Sequence, residues 1–131
     1  MRAFMIAAAA AGALCGAAGA QEGPRYLTET YPPQALGPLM EGYTSLKGEE
    51  AALDAKTFEL IGLAVAAQIP CDYCVYIHAK QARRAGAAEA ELREAVAMAG
   101  MVRHFSTVFN GAAYDFEALR EEHDALAPPV N

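Results

Sequence analysis

The chain has little sulfur, few cations and no segment that reads as a strand, and each shortage excludes something. Three cysteines occur in 131 residues, and only Cys71 and Cys74 lie beyond the first twenty. No second C-x-x-C is present to complete the four ligands of a structural zinc site. Val75, not histidine, follows the second cysteine, so the C-x-x-C-H pattern of haem attachment is missing. Ten Lys and Arg face sixteen Asp and Glu, for a formal charge of −6. The only basic cluster, Lys80, Arg83 and Arg84, fits the solvated face of one helix, and an acidic chain of this kind makes a poor nucleic-acid binder. Internal repeats and low-complexity segments are absent after residue 20. The longest apolar run, Ala3 to Leu14, is too short to span a bilayer comfortably.

That run reads as part of a leader. Arg2 supplies a charged start, and Ala18-Gly19-Ala20 is an A-x-A-like cleavage site before Gln21, the pattern of a secretory signal peptide over residues 1–20. Removing it leaves about 111 residues with a formal charge of −7. No membrane-spanning segment is then expected. Export would place the chain in an oxidising compartment, a bacterial periplasm, where a C-x-x-C can rest as a disulfide.

Beyond the leader the pattern is helical. Residues 21–33 hold Pro24, Pro32 and Pro33 without periodicity and are expected to form an extended arm. One helical domain is expected over 34–127. Its first short helix should open at Pro38 and bury Leu39, Met40 and Tyr43. Asp54 has the chemistry of an N-cap for a helix over Ala55–Ile69, which is apolar nearly all round and therefore central or facing another subunit. Pro70 ends it. A helix from Cys71 to about Ala85 should stop at Gly86.

A long helix follows over about 88–113. Leu92, Val96, Ala99, Val102, Phe105, Phe109 and Ala113 form one stripe, and Ala97, Met101, Val108 and Gly111 a second. Asp115 to Leu126 fits a short amphipathic helix, with Pro128-Pro129 closing the chain. The class is all-α, a bundle of short antiparallel helices. Two helices that are apolar on more than one side need more cover than a chain this size supplies, and self-association is the simplest source.

Cys71-Asp72-Tyr73-Cys74-Val75-Tyr76-Ile77-His78 is the stretch that carries chemistry. On a helix the two thiols and the imidazole fall at i, i+3 and i+7, on one face. Cys71 would sit at the helix N-terminus, where unpaired N–H groups and the dipole favour a thiolate. His78, one turn beyond Cys74, could take that thiol's proton. Competing readings are a structural disulfide, which would close a very small loop and add little stability, and half of a zinc site. Glu59 is an acid in the most apolar helix. It is either desolvated and suited to proton transfer or leans out to water or to Lys56. His104, on an apolar stripe, fits a core or interface residue better than a catalyst, and His123 in its charged tail should be solvated. Tyr73 and Tyr76 are expected to line a pocket.

Leu53-Asp54-Ala55-Lys56-Thr57-Phe58-Glu59-Leu60-Ile61, the apolar helix, and then Cys71-x-x-Cys74-x-x-x-His78 resemble the AhpD-like alkylhydroperoxidases of the carboxymuconolactone decarboxylase superfamily. The likeness covers about residues 36–114. It implies an all-α, AhpD-like trimer or hexamer whose dithiol reduces hydroperoxides with an external dithiol reductant, without cofactor or metal. It further implies Cys74 as the attacking thiol, Cys71 as its resolving partner, and His78 and Glu59 as a proton relay. The helix-terminus argument favours Cys71 as nucleophile instead, whereas His78 lies nearer Cys74. Tyr73 stands where the founding enzymes carry a histidine, which removes one possible proton carrier. The decarboxylase branch does not depend on a C-x-x-C. Alternative expectations are an exported disulfide reductase or oxidant without peroxidase activity, and a decarboxylase-like enzyme or binding protein whose cysteines are only a staple.

Overall fold

The computed structural model describes residues 23–126. The leader expected over 1–20 and the closing Pro128-Pro129 lie outside the described residues. Among those described, six helices and no strand occur, so the fold is all-α. The chain divides into two compact units at Gly42–Tyr43.

In the first unit, the segment expected as an extended arm carries one helical turn, α1 (Arg25–Thr28). Pro24 sets its start and Arg25 pairs with Glu29 one turn on, at 2.7 Å. The helix expected to open at Pro38 opens five residues earlier, as α2 (Pro33–Ser45). Pro33 takes the first helical position, where its missing N–H costs nothing, and Pro38 lies inside the helix. The buried side also differs: Leu36 is buried whereas Leu39 is exposed.

The second unit is organised around α3 (Ala55–Gln68), which packs against both α4 (Asp72–Arg84) and α5 (Glu89–Gly111). Asp54 caps α3 by accepting the Thr57 N–H at 2.9 Å, which satisfies one of the helix's unpaired donors. Ile69 is its C-cap, and Pro70 prevents continuation. Gly86 ends α4 at φ 88°, a left-handed conformation that costs glycine nothing. The Gly86 N–H then bonds the Arg83 carbonyl and the Ala87 N–H the Ala82 carbonyl, a Schellman closure. It turns the chain directly into α5, whose N-terminus is held by Glu91 accepting the Ala88 N–H at 2.7 Å.

The core is small. Leu63 of α3, Ala82 of α4 and Leu92 of α5 are buried together, with Leu60, Val75, Ala79 and Ala87 packed around them. Farther along, Gln68 ties α3 to α5: its amide donates to the Ala99 carbonyl, and Arg103 donates to its Oε1 at 2.8 Å. Of the stripe expected to be covered on α5, only Leu92 and Ala99 are buried. Val96, Val102, Phe105 and Phe109 are exposed, as are Met101 and Val108 of the second stripe. Ile61, Val65 and Ile69 of α3 are likewise exposed. A final helix, α6 (Phe116–Leu126), buries no residue.

Candidate functional site: a disulfide beside a Glu–His pair

The α3–α4 junction builds the site. Pro70 breaks α3, and the chain re-enters a helix one residue later with Cys71 as N-cap. The Cys71 Sγ accepts the Cys74 N–H at 3.2 Å, in the position a serine or aspartate oxygen usually fills. Cys71 and Cys74 are joined as a disulfide across this first turn, with Cα atoms 5.3 Å apart. When the bond is reduced, the same N–H and the positive helix end would favour a thiolate at Cys71.

His78 lies one turn beyond Cys74, and both line a groove of about 770 Å³. Its walls are chiefly apolar, with Leu46, Leu53, Phe58, Ile61, Val65 and Ile69 among them. Cys71 is not part of this lining. The helix therefore turns Cys74, rather than Cys71, toward the groove that also holds His78.

Behind His78 sits Glu59, 3% exposed. A carboxylate taken out of water costs several kcal/mol unless its oxygens find partners. Glu59 has one for each. Oε2 meets His78 Nδ1 at 2.7 Å, and Oε1 accepts from Lys47 Nζ at 2.5 Å. The open question over Glu59 is thus answered for burial. The alternative pairing with Lys56 does not form, because Lys56 reaches across to Glu91 of α5 at 2.8 Å.

Lys47 was not singled out by its sequence context. It lies in the polar turn after α2, twelve residues before Glu59, outside any periodic pattern. Its ammonium sits over the Tyr43 ring (4.5 Å to the centroid) and the Phe58 ring (5.0 Å), and those rings meet edge to face. Partial burial pulls its pKa down, but the hydrogen bonds to Glu59 and Tyr43 and their charge outweigh that, and the group ends above the ordinary lysine value. Lys47 is therefore a fixed cation at neutral pH.

Gly62 makes the Glu59–His78 contact possible. A Cβ there would lie 2.5 Å from His78 Nδ1 and Cε1, so only glycine lets the imidazole lie against α3. This explains the gap that glycine leaves on Glu59's face of an otherwise apolar helix.

Other expectations fare differently. Tyr73 and Tyr76 do not line the groove; they are 84% and 65% exposed, because the i+2 and i+5 offsets from Cys71 rotate them to the outer side of α4. His104 is exposed and meets the Phe105 ring edge-on at 5.8 Å. His123 is exposed in α6. Arg83 pairs with Glu89 on the surface. Among the described residues, no three His, Cys, Asp or Glu side chains are grouped to hold a metal ion.

The site thus belongs to a small all-α unit in which a disulfide-linked C-x-x-C at a helix start lies near a Glu–His pair whose acid is buried. The carboxymuconolactone decarboxylase family model matches residues 33–115, and the chain belongs to that family. A Paracoccus denitrificans protein named "Uncharacterized protein 4 in cox locus" is 40% identical over 65 residues, half of this chain and 53% of that protein. The chain thus spans about half the length of the curated relative it matches. A crystal structure of a protein from Methanobacterium thermoautotrophicum aligns with a TM-score of 0.59 at 30% identity, covering 68% of this chain and 97% of that one.

Gly62→Ala tests the geometry. In mid-helix this change alone would stabilise by about 0.5–1 kcal/mol. Here the methyl must push His78 off Glu59, and a buried acceptor losing its partner costs about 1–3 kcal/mol. Net destabilisation in urea is expected; a net gain would mean that the ring and α3 do not approach this closely.

Proposed function

We propose that the protein is a thiol-dependent peroxidase of the AhpD-like type, reducing hydroperoxides through the Cys71–Cys74 pair. The observation that carries this reading is that Cys74 and His78 open onto one apolar groove while His78 is backed by the buried Glu59. In the reduced protein, His78 takes the Cys74 proton. The thiolate attacks the terminal peroxide oxygen and the O–O bond breaks. The alkoxide leaves with the proton returned by His78, and Cys74 becomes a sulfenic acid. Cys71 Sγ then attacks Cys74 Sγ, forming the disulfide and releasing water. An external dithiol supplies two electrons and two protons to restore both thiols. The apolar lining suits an organic hydroperoxide, whose alkyl part can be buried there.

Two further parts of the proposal rest on other features. The leader pattern over 1–20 supports an exported, periplasmic protein, so the dithiol donor would belong to that compartment. The exposed apolar residues of α5, Phe105 and Phe109 among them, support self-association into a trimer or hexamer, since apolar faces of this kind mark association surfaces. Sedimentation of the native protein should give an oligomer, and Phe105→Glu with Phe109→Glu should shift it to the monomer. A native monomer would remove this part.

A second reading, disulfide exchange with other exported proteins and no peroxide chemistry, is favoured by Tyr73. It lies beside the disulfide and presents an exposed ring to a macromolecular partner. Turnover of cumene hydroperoxide with an artificial dithiol separates the two. The peroxidase reading expects Cys74→Ser to lose at least about 100-fold in rate, the scale of removing a nucleophile. Full turnover by that variant, or none by the native protein alongside rapid exchange with a model protein disulfide, would defeat it.

A further inference from the structure

We propose that Lys47 is a positioning residue for the proton relay: it holds Glu59 as a carboxylate, directs the His78 proton to Nδ1, and so leaves Nε2 neutral and free to accept the Cys74 proton. The proposal deepens the thiol reading above and adds a residue to it.

The argument starts from the count of charges around one buried acid. If Glu59 had His78 as its sole partner, the pair would be most stable with the imidazole protonated, because the imidazolium would be the only cation near a desolvated carboxylate. A ring already protonated at rest cannot accept a proton from a thiol. The ammonium of Lys47 changes that balance. It takes Glu59 Oε1 at 2.5 Å, while Oε2 remains for His78 Nδ1 at 2.7 Å. Neutral His78 is then sufficient as the second partner, donating its Nδ1–H to a carboxylate that Lys47 already balances. A second positive charge on the ring would be repelled by the first.

The cation is held in place for this. The faces of Tyr43 and Phe58 both attract it while it donates to Glu59 Oε1. Among the described residues, the ion pairs of Glu59 are those with Lys47 and His78. Glu50 lines the groove. On the α5 side, Glu91 is taken by Lys56 and by the Ala88 N–H. On α4 itself, the groups nearest the ring in sequence are Cys74, which lines the groove, and Lys80, which lies over the exposed Tyr76 ring.

The test is an NMR titration of the histidine rings in the oxidised protein. Neither cysteine titrates there, so the outcome is independent of whether the protein reduces peroxides. His78 is assigned by its absence in His78→Gln. In the native protein its neutral ring should be the Nδ1–H form, read from the ring nitrogen shifts. Lys47→Met should raise its midpoint by about one pH unit, the scale of losing one partly screened charge nearby. Lys47→Arg, which keeps the charge, should restore the native midpoint. A neutral native ring protonated at Nε2, or an unchanged midpoint in folded Lys47→Met, overturns the proposal. If Lys47→Met does not fold, Lys47→Gln is titrated in its place, and an unchanged midpoint there overturns the proposal.

Discussion

A carboxylate in the middle of an apolar helix is the constraint around which the second unit is built. Glu59 cannot be left unpaired at 3% exposure, and meeting that demand fixes several other choices. His78 must lie against α3, so position 62 must lack a side chain. Lys47 must reach in from the turn after α2, so Tyr43 and Phe58 present their rings to it. The α3–α4 packing that carries His78 also sets the first turn of α4, and with it the disulfide. The polar cluster thus positions the cysteine pair and the α3–α4 packing together. Breaking one arm would leave the other with a poorly compensated buried charge.

The two cysteines occupy unlike environments although only three residues separate them. Cys71 ends the break at Pro70 and caps α4, with its sulfur turned to a backbone N–H. Cys74 is one turn inside the helix and faces the groove with His78. The helix terminus would favour charge on a reduced Cys71, whereas Cys74 is the cysteine that shares the groove with His78. Under the proposed cycle these two environments would serve different steps, a base and room for substrate at the attacking sulfur and a ready nucleophile at the resolving one.

Much of this was legible beforehand because it depends on local rules. The Asp54 cap, the stop at Pro70, the turn at Gly86 and the extents of α3, α4 and α5 follow from capping and backbone preferences acting over a few residues. The helical spacing of Cys71, Cys74 and His78 was equally local. Features set by tertiary contact were not legible. Lys47 lies in a non-periodic turn, and only its approach to Glu59 distinguishes it from a solvated lysine. A clue was available in Tyr43, four residues earlier, and in Phe58 beside the acid. The start of α2 was misplaced because Pro33 and Pro38 both suit a first helical position, and the chain took the earlier one. Tyr73 and Tyr76 turned outward because burial on α4 goes to Val75, Ala79 and Ala82.

The central claim is that a peroxide oxidises this pair of thiols to this disulfide. Its most direct measurement is the mass of the reduced, desalted protein after alkylation, before and after one equivalent of cumene hydroperoxide. Two alkyl groups before, and none after, with the bond mapped to Cys71–Cys74 and formed much faster than in air alone, is the expected result. Two thiols still open to alkylation after peroxide would contradict it.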